Sequence, residues 1–233
     1  MIDARSVVSD RLAAVRGRVA DAARRAGRDP AEVTLVAVTK TTTPAVTALT
    51  FELGAADLGE SRPQELWKKA AALTAARWHL IGHLQRNKLD RTVPLVSLIH
   101  SVDSERLLAA LDDFGRKRGA PVRVLLEVNC SREDAKGGLR PEELLALADT
   151  LPTRTGVEVR GLMTMAAYSD DPQAARPAFV ELRQLRDRVR TATGLPLPEL
   201  SMGMSGDFEV GVEEGATLVR VGSTLFEGLS ALE

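Results

Sequence analysis

The spacing of apolar residues divides the chain into an opening helix and a series of short strands. Between residues 3 and 26, apolar side chains recur every three or four positions, which predicts an amphipathic helix. Beyond residue 33, short runs of Val, Ile and Leu alternate with longer segments of helical periodicity. Several runs are nearly continuous, as in strands that are covered on both faces. The runs predict eight strands, at 34–39, 55–59, 77–82, 95–102, 122–129, 157–165, 198–203 and 217–226.

Eight strands that alternate with helices predict an α/β protein, namely a single (β/α)8 barrel of the TIM type preceded by the N-terminal helix. A doubly wound open sheet is the alternative. The phosphate-binding fingerprints of that fold, GxGxxG and GxxxxGK[ST], do not follow an early strand, which disfavours it. No Pro/Ser-rich linker or internal repeat interrupts the chain, so we expect one domain over residues 1–233.

Composition restricts the possible partners. Hydrophobic residues make up 44% and charged residues 27%, as in ordinary soluble proteins. The 31 basic and 32 acidic residues are spread along the chain, so a broad basic surface for nucleic acid or an anionic membrane is not expected. Aromatic residues, at 3%, are too few for base stacking. The first residues form no secretory signal, and we expect the protein in the cytoplasm.

Cysteine and histidine give little sign of metal chemistry. Cys130 is the single cysteine, which excludes an internal disulfide and a Cys-rich zinc motif. His79 and His83 lie four residues apart on a strand-to-loop stretch, without an HExxH pattern. Strand alternation could bring these two together, but zinc binding is disfavoured. We therefore expect no metal site and a structural role for Cys130.

The stretch TLVAVTKTTTP, residues 34–44, ends an apolar run in a lysine. Lys40 has two interpretations. It is either the solvent-facing end of a strand, or an amine at the carboxyl ends of the barrel strands, where functional residues gather. Such an amine forms Schiff bases with a carbonyl group, of a substrate or of pyridoxal phosphate. From this stretch alone, the surface interpretation is favoured.

Two Gly/Ser loops favour the second interpretation of Lys40, an amine in a functional site. SMGMSGDFE follows the seventh predicted strand and VGSTLFEG closes the eighth. Glycine lets a backbone approach an anion, and hydroxyl groups donate to it. In barrels these two loops commonly hold phosphate. The residues concerned are Gly203, Ser205, Gly206, Gly222, Ser223 and Thr224. A phosphate-binding group and a Schiff-base amine on one face favour pyridoxal phosphate as the ligand.

Arg220 lies inside the eighth apolar run and needs a partner, because a buried unpaired guanidinium is very costly. One hypothesis is a salt bridge to a core carboxylate, Glu60 or Glu127. The other is a contact with the ring nitrogen of a bound pyridine. The spacing of these residues along the sequence does not distinguish between the two hypotheses.

The chain resembles the pyridoxal phosphate homeostasis protein family, which is similar to the barrel domain of alanine racemase standing alone. The resemblance covers essentially the whole chain. Its matching stretches are LVAVTKT, LGESRPQE, WHLIGHLQRNK, HSVDSERL, VLLEVNCSREDAKGGL, RGLMTM and LSMGMSGDFEVGVEEGATLVRVGSTLFEG.

The resemblance implies a set of cofactor contacts. Lys40 would carry pyridoxal 5'-phosphate as a Schiff base, and Arg220 would face the pyridine nitrogen. Because arginine stays protonated, that nitrogen would stay unprotonated and be a poor electron sink. The implied phosphate residues are Ser205, Gly222, Ser223 and Thr224, with Ser201 nearby.

The chain departs from the family at GESRPQE, where relatives often have GENYVQE. Ser61 replaces an asparagine that lies near the cofactor ring in relatives, and Arg62 replaces a tyrosine. A ring contact from this position is therefore not expected with the usual geometry. Pro63 suits the first turn of the next helix.

Two functions are compatible with these features. Racemisation requires acid/base groups on both faces of the cofactor. The resemblance implies that in racemases one of these acid/base groups is a tyrosine from a second domain of the partner subunit. This chain ends at Glu233, and its single tyrosine, Tyr168, is expected on the surface.

We therefore expect a non-enzymatic protein of vitamin B6 homeostasis, with an amino-acid racemase as the alternative. Such a protein would hold the cofactor and could pass it to apo-enzymes. We expect a monomer, because loss of the second domain removes much of a racemase dimer interface.

Overall fold

The computed structural model describes residues 3–133 and 137–229; part of the SREDAKGG motif and the last residues lie outside this range. Eight parallel strands close a barrel in chain order. The predicted (β/α)8 barrel is confirmed, and the open sheet is wrong. The strands are β1 (Thr34–Val38), β2 (Asp57–Glu60), β3 (Arg77–Leu80), β4 (Leu98–Val102), β5 (Val122–Glu127), β6 (Val157–Met163), β7 (Glu199–Ser201) and β8 (Leu218–Val221).

Helices connect the strands, and the predicted opening helix is confirmed as α1 (Ala4–Arg25). No helix within the described ranges is long and apolar enough to cross a membrane. The remaining helices are α2 (Pro44–Glu52), α3 (Pro63–Ala72), α4 (Leu89–Thr92), α5 (Glu105–Arg118), α6 (Pro141–Leu147), α7 (Arg176–Thr193), α8 (Phe208–Glu213) and α9 (Ser223–Phe226).

The eighth strand is shorter than its apolar run predicts. β8 ends at Val221, and the rest of the run forms the short helix α9. Gly222 leaves the extended conformation, and its carbonyl oxygen accepts hydrogen bonds from the N–H groups of Leu225 and Phe226, at 2.9 and 3.0 Å. The backbone thus turns just where a phosphate loop was predicted.

Turn and cap residues explain several boundaries. The Thr43 hydroxyl accepts from the backbone N–H of Val46, and Pro44 occupies the first turn of α2. Ser104 caps α5 in the same way, and Gly119 ends that helix in the left-handed conformation, with φ of 72°. These local signals fix where α2 begins after β1 and where α5 begins after β4.

The strands bury both of their faces. Their outward side chains pack against the helices in one large apolar cluster. A smaller apolar cluster fills the barrel interior, as expected for a packed barrel rather than a pore. Its buried members are Val36, Leu98, Leu125, Met163 and Leu218. Since side chains alternate along a strand, residues two positions further on, such as Val38, Arg220 and Glu127, also lie on the inward face.

Candidate functional site

The carboxyl ends of β1 and β8 bring Lys40 and the Gly222 loop to one end of the barrel. The two strands are parallel neighbours, with Ala37 opposite Val221. A Cβ atom on Gly222 would lie 3.2 Å from the carbonyl oxygen of Val38, tighter than most real contacts. Glycine therefore lets the loop after β8 lie against the end of β1, two residues before Lys40. This juxtaposition confirms the expected shared face.

The backbone around Lys40 is held from several sides. The carbonyl oxygen of Thr39 accepts from Lys69 Nζ at 2.6 Å and from the backbone N–H of Thr42 at 3.0 Å. The carbonyl oxygen of Lys40 accepts from Arg62 at 3.1 Å. Arg62, which departs from the family pattern, thus supports the lysine loop in this chain. A fixed backbone presents the side chain of Lys40 at the mouth of the barrel.

The Lys40 side chain itself is exposed. Within the described residues, its amine takes part in no hydrogen bond or ion pair. The surface interpretation from the sequence describes this exposure correctly. Exposure also leaves the amine accessible to an incoming aldehyde, so the two interpretations are compatible.

A buried ion pair lies behind the lysine loop. Lys69 Nζ is 2.9 Å from Glu60 Oε2, and their side chains are 3% and 0% exposed. Glu60 Oε1 accepts from the backbone N–H of Ser61 at 3.0 Å. Glu60 is therefore paired with Lys69, and its prediction as a partner of Arg220 is wrong. Nothing in the sequence pattern distinguishes Lys69 from its exposed neighbour Lys68.

Ser205 and the start of α9 lie together where the sequence predicts an anion-binding group. Ser205 Oγ accepts from the backbone N–H groups of Gly222, at 3.1 Å, and Thr224, at 3.4 Å. The Thr224 hydroxyl donates to the Ser205 carbonyl oxygen at 3.4 Å. Two N–H groups thus converge on one oxygen atom, and the exposed Ser223 lies between them in sequence. This donor set fits a phosphate group.

The loop after β7 reaches this group through Gly203. Its φ is +94°, and a Cβ atom there would lie 2.8 Å from the Cα of Phe208. Both the backbone conformation and the close approach require glycine. The carbonyl oxygen of Gly203 accepts from the backbone N–H of Arg220 at 3.0 Å, which joins the two loops.

Arg220 is buried, with 4% of its surface exposed. Its NH1 donates to Ser201 Oγ at 2.5 Å, and its NH2 donates to the Thr164 carbonyl oxygen at 3.0 Å. Burial lowers the pKa of Arg220 to about 10, against the opposing charges of Glu127 and Asp207, so the guanidinium is protonated at neutral pH. These contacts use two of its five N–H groups, which leaves donors for a ligand.

Neither predicted carboxylate forms a salt bridge with Arg220 among the described residues. Glu127 lies on the inward face at the end of β5 and is buried. Burial, aided by Asp103, raises the pKa of Glu127 to about 7 against the effect of Arg220 and His83. The predicted Arg220–Glu127 salt bridge is therefore wrong. A carboxyl group that titrates near neutrality instead faces the mouth of the barrel.

Ser201 lies apart from the Ser205 group. Its side chain is fully buried in the barrel, between Arg220 and His100. The structure therefore brings together Lys40, Ser205, Gly222 and Thr224, and it places Ser201 behind Arg220. Direct cofactor contacts of these residues stay predictions.

The other candidate residues have ordinary surroundings. Tyr168 is 91% exposed, as expected. Cys130 is buried, and burial raises the pKa of its thiol to about 12. His79 contacts His100 and not His83. The Nδ1 atom of His83 lies 2.7 Å from Asp103 Oδ2. Over residues 3–133 and 137–229, no three His, Cys, Asp or Glu side chains form a group that could hold a metal ion.

The fold and site define a class of protein: a (β/α)8 barrel with a lysine just after its first strand, at the same end as the Gly/Ser loops that follow β7 and β8. The chain belongs to the family of the alanine racemase N-terminal domain, whose model matches residues 11–230, and within it to the pyridoxal phosphate homeostasis proteins. The pyridoxal phosphate homeostasis protein of Aquifex aeolicus is 42% identical over 219 residues, which cover 93% of this chain and 96% of that protein.

Solved structures agree with this assignment. PipY of Synechococcus elongatus, determined with PLP bound, is 33% identical with a TM-score of 0.82, covering 94% of this chain and 99% of PipY. Alanine racemase from Corynebacterium glutamicum has a TM-score of 0.72 at 17% identity. The match covers 95% of this chain and 63% of the racemase, and at that identity it shows the fold alone.

Replacing Lys69 tests the support of the lysine loop. We expect Lys69→Met to lower the free energy of unfolding by about 3 to 5 kcal/mol, because it leaves the Glu60 carboxylate buried without its partner. The measurement is urea denaturation followed by circular dichroism. The double variant Glu60→Leu/Lys69→Met removes both charges and is expected to be more stable than Lys69→Met.

Lys68→Met is the matched control. Lys68 pairs with Glu65 at the surface and is 70% exposed, so its loss should change stability by at most about 1 kcal/mol. Equally small losses for Lys68→Met and Lys69→Met would contradict the role of the buried pair.

Proposed function

We propose that this chain binds pyridoxal 5'-phosphate reversibly and serves the homeostasis of that cofactor, holding it as a Schiff base on Lys40. The observation that carries the proposal is the exposed Lys40 amine, on a fixed backbone, beside the N–H groups that converge on Ser205. The names of the relatives and the PLP-bound state of PipY support it. A cytoplasmic location, a monomeric state and transfer to apo-enzymes belong to the same proposal.

Different residues of this chain would bind different parts of the cofactor. When bound, the cofactor supplies an aldehyde that condenses reversibly with an amine and releases water. The Ser205 and Ser223 hydroxyls would donate to the phosphate. The N–H groups of Gly222 and Thr224, which donate to Ser205 Oγ in this structure, would exchange that partner for the phosphate. The remaining N–H groups of Arg220 would donate to the ring nitrogen.

Arg220 would make the bound cofactor a weak electron sink. Its guanidinium is protonated at neutral pH even after burial. A ring nitrogen that accepts a hydrogen bond from this group stays unprotonated, and the ring then withdraws electrons weakly. Tyr168, at 91% exposed, is in no position to act as an acid or base inside the barrel.

One observation favours the racemase alternative. Glu127 is a buried carboxyl at the mouth of the barrel, and its pKa of about 7 suits proton transfer near neutral pH. It supplies only one of the two groups that racemisation requires. The non-enzymatic role therefore has the stronger support.

Replacing Lys40 tests the proposed attachment. Protein mixed with pyridoxal 5'-phosphate should show the visible absorbance of a lysine Schiff base, and Lys40→Ala should lose that band because its nitrogen is missing. Lys68→Ala, which removes an exposed lysine of α3, should keep the band at full intensity. A retained band in Lys40→Ala would assign the cofactor to another amine.

A racemisation assay tests the non-enzymatic role. Cofactor-loaded protein is incubated with single amino-acid enantiomers, and the products are separated by chiral chromatography. We expect turnover far below about 1 per second, the lower end of ordinary enzymes. Turnover at or above that rate, abolished in Glu127→Gln, would establish the racemase instead.

A further inference from the structure

A chain of hydrogen bonds crosses the barrel interior beneath Arg220. Ser201 Oγ, which accepts from Arg220, lies 2.8 Å from His100 Nδ1. His100 Nε2 lies 2.9 Å from His79 Nδ1, and His79 Nε2 lies 3.0 Å from Asp57 Oδ1. Four strands, β2, β3, β4 and β7, thus contribute one residue each. The chain links the candidate cofactor site with the opposite end of the barrel.

The far end of the chain meets solvent. Asp57, the first residue of β2, binds Arg77 through two hydrogen bonds of 2.8 and 2.5 Å. The Arg77 side chain is 61% exposed, whereas that of Asp57 is 10% exposed. Both residues line a cavity of about 450 Å³ between α1 and the amino ends of the strands, together with Arg16 and Thr34.

The Asp57 end of this hydrogen-bond chain fixes the direction of its first hydrogen bond. Burial alone would raise the pKa of Asp57, but hydrogen bonds from His79 and Arg77 lower it to about 2, so its carboxylate only accepts. His79 Nε2 must therefore donate to Asp57. In a neutral ring, Nδ1 of His79 is then an acceptor, and His100 Nε2 must donate to it.

Arg220, at the other end of the hydrogen-bond chain, has donors only. Burial, the neighbouring His79 and the charge of Arg220 hold the pKa of His100 well below its usual value, so this ring is neutral. With Nε2 donating, His100 Nδ1 accepts the hydrogen of the Ser201 hydroxyl. The lone pairs of that hydroxyl are left for Arg220. With a neutral His79 ring, this arrangement of hydrogens satisfies all partners at once.

We infer that Ser201, His100 and His79 are positioning residues, which hold the guanidinium of Arg220 in place for the cofactor ring through a chain anchored on Asp57. In this arrangement both histidines are Nε2–H tautomers. The role toward the ring rests on the proposed function, whereas the direction of the chain is a property of the protein without cofactor.

Histidine nitrogen NMR of the cofactor-free protein tests the chain itself. The protein has three histidines, and the exposed His83, which lies outside the hydrogen-bond chain, serves as an internal reference. His79 and His100 should both carry hydrogen on Nε2. In Asp57→Leu the anchoring acceptor is gone, so Nδ1–H signals should emerge on both rings, including His100, two hydrogen bonds away. Unchanged His100 signals in that variant would overturn the inference.

Arg77→Leu is the matched control for Asp57→Leu. It removes the partner of the same carboxylate but keeps the acceptor of the chain. The tautomers of His79 and His100 should therefore match those of the unmodified protein. An Nδ1–H tautomer of His100 in the unmodified protein would also contradict the assigned direction, even if a variant failed to fold.

Cofactor affinity tests the link to the ring. Ser201→Ala removes the acceptor of Arg220, and we expect about tenfold weaker binding of pyridoxal 5'-phosphate. Ser97→Ala, at an exposed serine before β4, should bind as the unmodified protein does. Equal affinities in the two variants would refute the positioning role. Failure of the unmodified protein to bind would instead refute the proposed function, while the NMR result would still stand.

Discussion

The pairing of β1 with β8 closes the barrel, and the arrangement of the site depends on it. Along this seam Thr34 to Ala37 lie opposite Leu218 to Val221. Beyond the paired residues, Gly222 lies against the backbone of Val38. Residues that are far apart in the chain, Lys40 and the Ser205–Thr224 group, therefore leave the sheet at the same end and side by side.

Around this seam, buried charges hold the backbone in place. Lys69 and Glu60 neutralise each other behind the lysine loop, and the same ammonium group binds the carbonyl oxygen of Thr39. Arg220 plays a comparable part inside the barrel, where it ties β8 to Ser201 of β7 and to the backbone at Thr164. The backbone at Thr39 and Lys40 is thus held by hydrogen bonds in the protein without a ligand. Such preorganisation lowers the cost of ordering a loop on binding.

The barrel, the strand-end lysine and the two Gly/Ser loops are predictable from the sequence, because each has a local signal. Apolar runs mark the strands, Gly222 and Ser205 mark the turns, and Thr43–Pro44 marks a helix start. The partners of buried polar groups have no such signal. Glu60, one of two carboxylates considered as a partner of Arg220, binds Lys69 instead, because pairing depends on which face of its strand a residue occupies and on side-chain length.

The His79–His100 contact was missed for the same reason. The spacing of His79 and His83 along the chain carries no information about His100, which lies on the neighbouring strand and contacts His79. Register across β3 and β4 is fixed by the packing of the whole barrel, so a single strand does not reveal it. Glu127 was considered only as a salt-bridge partner, and its raised pKa follows from burial that the sequence does not display.

The central claim is that Lys40 carries the cofactor, and covalent trapping tests it most directly. Borohydride reduction of the protein loaded with pyridoxal 5'-phosphate converts a Schiff base into a stable amine, and peptide mass spectrometry locates it. The account predicts one phosphopyridoxyl group, on the peptide that contains Lys40. Modification of a different lysine, with the Lys40 peptide unmodified, would contradict it.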